Sequence, residues 1–396
     1  VKFLYPLENL FKNLFNGRYN YSFNLINNVV EFNRYYEDKE KLTAALTNPA
    51  LLKVFGLQCD LFSLAEVYLK DKDGNYIEKH PFLDWIENPN PVQTKKQFLW
   101  DYMFWTMLGN SYLYIDSRNL NMPNNTGYFL TPYKIDFPEH LDQDRDKLIM
   151  SSAKTKAILE TPIKYYYDDG TSITMPLSKI LISNDLTNGV GNYYKGASRI
   201  DALYKIISNS EHSLDSKNIN VRYTAKFMVS SDGGADKLPL TKEEKESVQD
   251  KMNSDGKQVY PMSAMAKIQR FVEDYSKLRL EESYLQDFFL IGNMYNIPRD
   301  VLEAYQSSTY ENQEKARGSH VSYTLSPKGD ELANQFDKYF RLKEEGLKVC
   351  FDWSYLPFMQ VFEGDRAETM NSKADAMQKL VNLGYSLKDA QKLVDL

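Results

Sequence analysis

"HPFLDWIENPNPVQTKKQFLWDYMFWTMLGNSYLYI", residues 80–115, carries three elements with a punctuation mark at each junction. "HPFLDWIENPNP" (80–91) holds a short helix. It is stopped by Asn88-Pro89 and Asn90-Pro91, because a residue before proline avoids helical backbone angles. Thr94 then stands where a helix cap belongs, Lys95–Leu108 forms the helix, and Gly109 ends it. "SYLYIDS" (111–117) is rich in aromatic and branched residues and reads as a strand.

Working outward, "VYLKDKDGNYIEKHP" (67–81) reads as a hairpin turning at Asp73-Gly74. "GYFLTPYKIDF" (127–137) and "TPIKYYYDDGTSITMPLSKILISN" (161–184) supply further strands, with a second turn at Asp169-Gly170. Residues 60–185 are therefore expected to be α+β with antiparallel pairing. Residues 1–60 read as mixed helical stretches, and "VCFDWSYLPFMQVF" (349–362) reads as strand-like. "RAETMNSKADAMQKLVNLGYSLKDAQKLVDL" (366–396) reads as two helices meeting at Gly384-Tyr385.

The texture changes near Ser198. A helix starts there, with Ile200, Leu203 and Ile207 on one face, but Asn209–Asn220 is almost wholly polar. A long helix with so short an apolar stripe needs lateral support from neighbouring helices, or it frays. An insert of strand, helix and two strands follows. Its helix, "TKEEKESVQDKMN" (241–253), opens with Thr241 and Glu244 at capping-box spacing. So small a unit buries little by itself and is expected to pack on another subunit. A second long helix (274–297) turns apolar all round at Phe288–Ile291, which predicts a deeply buried end before Pro298. "YQSSTYENQEKA" (305–316) is rich in hydroxyl and amide groups. An active-site lid, a solvated loop and a channel lining all look like this locally. A helix ending near Pro327 and another over 329–343 follow.

The formal net charge of −6 argues against tight holding of nucleic acid through phosphate neutralisation, though not against nucleic acid sliding past. The two cysteines, Cys59 and Cys350, offer neither a disulfide framework nor zinc-ligand spacing, which points to a reducing compartment. The longest apolar run, 98–109, is too short to span a bilayer and contains Asp101. No signal-peptide pattern is present, so a soluble, intracellular protein without membrane partners is expected. The 29 tyrosines suit half-wet subunit contacts, or reflect AT-rich coding.

No catalytic constellation, metal cluster or cofactor motif is readable. There is no Walker A loop, nucleophile elbow or His-Glu-x-x-His. Asp168-Asp169-Gly170 is turn chemistry, and "DRDK" (144–147) is a solvated loop. His80, His140, His212 and His320 lack ligand neighbours and read as surface or core histidines.

The order of these pieces resembles the portal proteins of tailed bacteriophages. Residues 80–115, "MPLSKILISND" (175–185) with "KGASRIDALYKII" (195–207), "IGNMYNIPRDVL" (291–302) and "STYENQEKARGSHVSYTLSP" (308–327) carry the resemblance, which covers roughly 60–345. It implies an α+β portal-type fold: a wing at 1–197 and 313–362, stem helices at 198–225 and 274–297, and a clip at 226–273. It further implies a tunnel loop at 298–312 and a short helical crown at 363–396. Many members carry a longer C-terminal crown than follows here, so the crown is expected to be minimal or the chain trimmed. The resemblance implies a homo-oligomeric ring of twelve subunits at one capsid vertex, assembled in the host cytoplasm. Double-stranded DNA passes through it non-specifically, and it meets the terminase large subunit, the major capsid protein or scaffold, and a head–tail adaptor. Tyr305, Gln306, Ser307, Ser308, Thr309, Tyr310 and Asn312 are the implied channel residues. Lys242, Glu243, Lys245, Glu246 and Gln249 are the implied clip contacts. The competing readings are a metal-dependent enzyme using Asp168, Asp169 and Glu282, and another ring-forming head–tail connector.

Overall fold

The computed structural model describes residues 22–26, 29–33, 38–122, 124–138, 157–186, 194–223, 227–231, 242–243, 246, 266–270, 280–302 and 310–382. The chain divides into two units: Val1–Ile207 with Phe288–Leu396, and Ser208–Asp287.

The first unit opens with an antiparallel pair, β1 (Ser22–Ile26) and β2 (Val29–Asn33). The reading of residues 1–60 as mixed helical stretches did not include this pair: "VVEF" is a β-rich run too short to stand out among asparagines. Helices α1 (Asp38–Thr47) and α2 (Pro49–Phe62) follow. Asn48 separates them, and its side chain accepts bonds from the backbone N–H of Ala50 and Leu51 at 3.0 and 3.1 Å. It thereby satisfies two of the N–H groups that every helix start leaves open.

β3 (Glu66–Lys70) and β4 (Tyr76–Ile77) form the expected Asp73-Gly74 hairpin. β3 alternates inward Val67 and Leu69 with half-buried neighbours, and its other edge pairs with β13 (Lys348–Asp352). α3 (Pro81–Glu87) and α4 (Lys95–Leu108) fall where the stop and cap signals put them. Thr94 and Gln97 complete a capping box. Gly109 has φ 132°, and a Cβ there would stand 3.0 Å from the Ser198 Cβ, so the corner into β5 (Asn110–Ile115) needs glycine twice over.

β5 is the middle strand of β10–β5–β6, with β6 at Gly127–Leu130 and β10 at Ile180–Asn184. β7 (Ile135–Asp136), β8 (Pro162–Tyr166) and β9 (Ser172–Pro176) form a separate antiparallel sheet. The core is aromatic. Phe82 and Trp85 of α3 meet Phe336 and Phe340 at centroid distances of 5.2–5.8 Å, and Trp85 meets Phe98 of α4 at 5.9 Å. These separations suit edge-to-face aromatic attraction.

α5 (Arg199–Tyr223) leaves the first unit with Ile200, Leu203 and Ile207 buried, as their spacing predicted. α6 (Leu280–Met294) returns to it. The predicted deep burial at Phe288–Ile291 is corrected: only Ile291 is buried, and Leu290 is 50% exposed. One apolar face suffices to seat the helix end, and the other faces remain uncovered in a single chain.

α7 (Arg299–Leu302) and α8 (Tyr310–His320) precede a π-helical turn, Val321–Leu325, and α9 (Ser326–Tyr339). The expected stop at Pro327 is therefore also corrected. The N–H of Ser326 reaches back to the Val321 carbonyl, and this wide turn precedes the proline that a regular helix interior would reject. Likewise, Pro357–Phe362 is not strand-like. β13 ends at Asp352 and α10 (Pro357–Asn382) begins with proline in its first turn. A continuous apolar run has no periodicity to separate the two states. The predicted Gly384-Tyr385 junction lies outside the described residues.

In the second unit, β11 (Phe227–Ser231) pairs antiparallel with β12 (Ala266–Arg270), and Lys242, Glu243 and Glu246 are helical. The remainder of the predicted insert lies outside the described residues.

Replacing Asn48 by alanine should lower stability by about 1–2 kcal/mol in urea denaturation, since both capped N–H groups are buried. An unchanged midpoint would show that the cap contributes nothing to α2.

Candidate functional site

The sequence singles out two places, the segment 298–312 and the insert 226–273. The structure shows how the first is rooted. α6 ends in a Schellman motif. Asn296 takes a left-handed conformation at φ 57°, its N–H bonds the Asn293 carbonyl, and the N–H of Ile297 bonds the Gly292 carbonyl, both at 2.9 Å. Asparagine fits because its short polar side chain tolerates this region better than most. Pro298 then prevents the helix from continuing.

Tyr295, just before the turn, is 1% exposed. Its hydroxyl donates to the Met107 carbonyl at 3.1 Å, its ring packs edge-on to Phe55, and its own carbonyl accepts from Gln58 Nε2 at 2.6 Å. Arg199, the first residue of α5, donates to the Met294 carbonyl at 3.0 Å and lies over the Tyr295 ring. The start of α5 and the end of α6 are thus tied by one guanidinium. Asp185 stands 3.4 Å from Arg199 Nε. Burial pushes its carboxyl up to about 6, with Arg199 opposing the shift. On the far side of the segment, Nδ1 of His320 lies 2.9 Å from the Asn296 carbonyl.

Tyr305, Gln306, Ser307, Ser308 and Thr309 lie outside the described residues. Tyr310 is the first residue of α8, and Asn312 is exposed in its first turn. Lys242, Glu243 and Glu246 are exposed, whereas Lys245 and Gln249 lie outside the described residues. Within the second unit, Lys217 pairs with Glu281 at 2.5 Å. Beside this pair is a cleft of about 230 Å³ lined by Leu214, Tyr284 and Leu285.

The residues of the enzyme reading are occupied otherwise. Asp168 pairs with Lys134 at 2.8 Å. Asp169 closes the β8–β9 turn by accepting from the Thr171 hydroxyl and N–H, which holds its carboxyl below the usual range. Among the described residues no group of three or more His, Cys, Asp or Glu side chains is placed to hold a metal ion. No helix among them is long and apolar enough to cross a membrane.

The phage portal protein family model matches residues 62–386. The chain belongs to the phage portal protein family. Solved structures agree on the fold. The neck of an empty gene transfer agent (GTA) particle, computed with C6 symmetry, superposes with TM-score 0.61 at 12% identity, covering 91% of this chain and 94% of that one. The neck of a native GTA particle, computed with C12 symmetry, gives 0.58 at 13%, covering 90% and 94%. An HK97 family phage portal protein from Corynebacterium diphtheriae gives 0.50 at 11%, covering 78% and 93%. No curated protein sequence matches the chain. Identities this low establish the portal-type α+β fold alone.

Sequence reasoning missed the portal chain's anchor. The apolar run ending in Asn-Ile-Pro announced the helix end, but neither Arg199 nor His320 carries a local signal, because their partners are 95 and 24 residues away. The left-handed position gives a direct test. Asn296→Gly should leave thermal stability nearly unchanged, whereas Asn296→Val should lower it by about 1–2 kcal/mol. Equal stability of the two variants would contradict the motif.

Proposed function

We propose that this chain is the subunit of a ring-shaped portal, set at one vertex of a virion capsid, through which double-stranded DNA is packaged and ejected. In this reading residues 1–197 and 313–362 are the wing, and 198–225 and 274–297 are the stem helices. Residues 226–273 are the clip, 298–312 the tunnel loop, and 363–396 belong to the crown or C-terminal region. The ring has twelve subunits, docks the terminase large subunit and later a head–tail adaptor, and contacts the major capsid protein or scaffold. It performs no catalysis and needs no cofactor.

The observation that carries the reading is the surface of the two helices. From Glu211 to Asn218 no residue of α5 is buried, and on α6 Leu290 and Met294 stand 50% and 39% exposed, one turn apart. A lone chain leaves apolar Leu290 and Met294 in water at a cost and the polar stretch of α5 without lateral support, whereas a ring supplies neighbouring copies to both. The family match and the likeness to necks solved with C6 and C12 symmetry support the same assembly. The net charge of −6 suits a conduit that must not hold phosphates, and hydroxyl-rich Ser307, Ser308 and Thr309 suit its wall.

Negative-stain microscopy with light scattering should show rings of about twelve copies with a stain-filled centre. A compact dimer without an axial hole would contradict the reading. Changing Ser307, Ser308 and Thr309 to lysine should leave rings intact and slow packaging, because added cations hold phosphates. Normal packaging would remove these residues from the channel wall. Deleting 230–270 should abolish terminase binding while the first unit still folds. Retained binding would overturn the clip assignment.

A further inference from the structure

His320 is 1% exposed and sits where α8 passes into the π turn. Its Nδ1 faces a carbonyl, so Nδ1 carries the proton and donates to Asn296 at 2.9 Å. Nε2 is buried without a partner among the described residues, and the Thr324 hydroxyl approaches the same carbonyl at 3.5 Å. The one imidazole therefore ties the left-handed turn that ends α6 to the junction of α8 and α9, closing the base of the chain between them.

We propose that His320 is an acid-sensitive latch: a proton on Nε2 places an unpaired cation in the core, and the ring leaves its site, releasing the Asn296 turn together with α7 and the end of α8. Among the described residues the surroundings supply no counter-charge. The elements packed around this junction carry Lys53 and Asp60 on α2, Arg299 and Asp300 on α7, and Glu314 and Arg317 on α8. They also carry Lys328 and Glu331 on α9, and Glu363 on α10. None of these is hydrogen-bonded to the ring, whose Nε2 has no partner among the described residues. Burial and the Asn296 carbonyl are the influences on its titration, and burial wins, pulling it down to about 4.

The sign follows from linkage. The imidazole is held neutral when folded and titrates near 6.5 when released. The latch is therefore fully closed above 6.5, and its contribution is lost as pH falls from 6.5 toward 4. Asp185 runs the other way, since its raised carboxyl favours the folded state as pH falls through 6. A comparison at fixed pH with a non-titrating variant separates the two.

The latch concerns the chain itself, so its test is indifferent to whether the portal reading holds. Native-state hydrogen exchange on the full chain, corrected for intrinsic rates, would follow the amides of 296–302 and 314–325. Between pH 7.5 and 5.0 their opening equilibrium should rise roughly thirtyfold in the wild type. In His320→Asn, whose amide nitrogen reaches about as far as Nδ1 and does not titrate, that rise should vanish. The same rise in both proteins would overturn the proposal. Should His320→Asn not fold, a proton NMR titration of the wild-type imidazole decides. A midpoint well below 6 supports the latch, and one near 6.5 overturns it.

Discussion

The first unit is held together by an aromatic contact that spans the chain. Phe336 of α9 and Phe340, which caps its end, close over Phe82 and Trp85 of α3, with Phe98 beneath, so residues about 250 positions apart share one core. Around it the same two regions are stitched by polar bonds. Asp337 accepts from the Val349 N–H at 2.9 Å, which sets β13 beside β3, and the Tyr339 hydroxyl donates to the Ile115 carbonyl at 3.1 Å. Burial pushes the Asp337 carboxyl up, against the pull of that N–H.

Within the first unit, a small set of residues holds the start of α5 and the end of α6. Arg199 joins the first turn of α5 to the last turn of α6, and Gln58, Met107 and His320 fix the turn that follows. The bonds involved are mostly from side chains to backbone carbonyls. Such bonds specify a position more sharply than apolar contact does, because each has one donor, one acceptor and a narrow range of angles.

The legible parts of the fold were those whose cause is local. Thr94, Gln97 and Gly109 bound α4 through contacts within four residues. Asp73-Gly74 and Asp169-Gly170 turn hairpins for reasons contained in the dipeptide. The Asn-Ile-Pro ending of α6 was legible for the same reason. β1 and β2 were missed because five-residue strands broken by asparagine carry little signal, and the start of α10 was missed because its apolar run has no period. Of the candidate site, the family order of motifs located the segment. Its anchors, Arg199 and His320, were invisible because each acts on a carbonyl far along the chain, and any residue supplies a carbonyl.

The discontinuity of the first unit has a consequence for synthesis. The ribosome releases Phe82 and Trp85 long before Phe336 and Phe340 exist, with the whole of Ser208–Asp287 emerging in between. During that interval the early aromatic residues lack their lid, and the nascent chain is a client for chaperones and a risk for aggregation. The insertion itself is thermodynamically lenient: doubling the length of a flexible loop adds only about 0.6 kcal/mol of closure entropy. A lineage could therefore exchange or enlarge the middle of this gene with little effect on the stability of the core. The cost would fall on the time the core spends open.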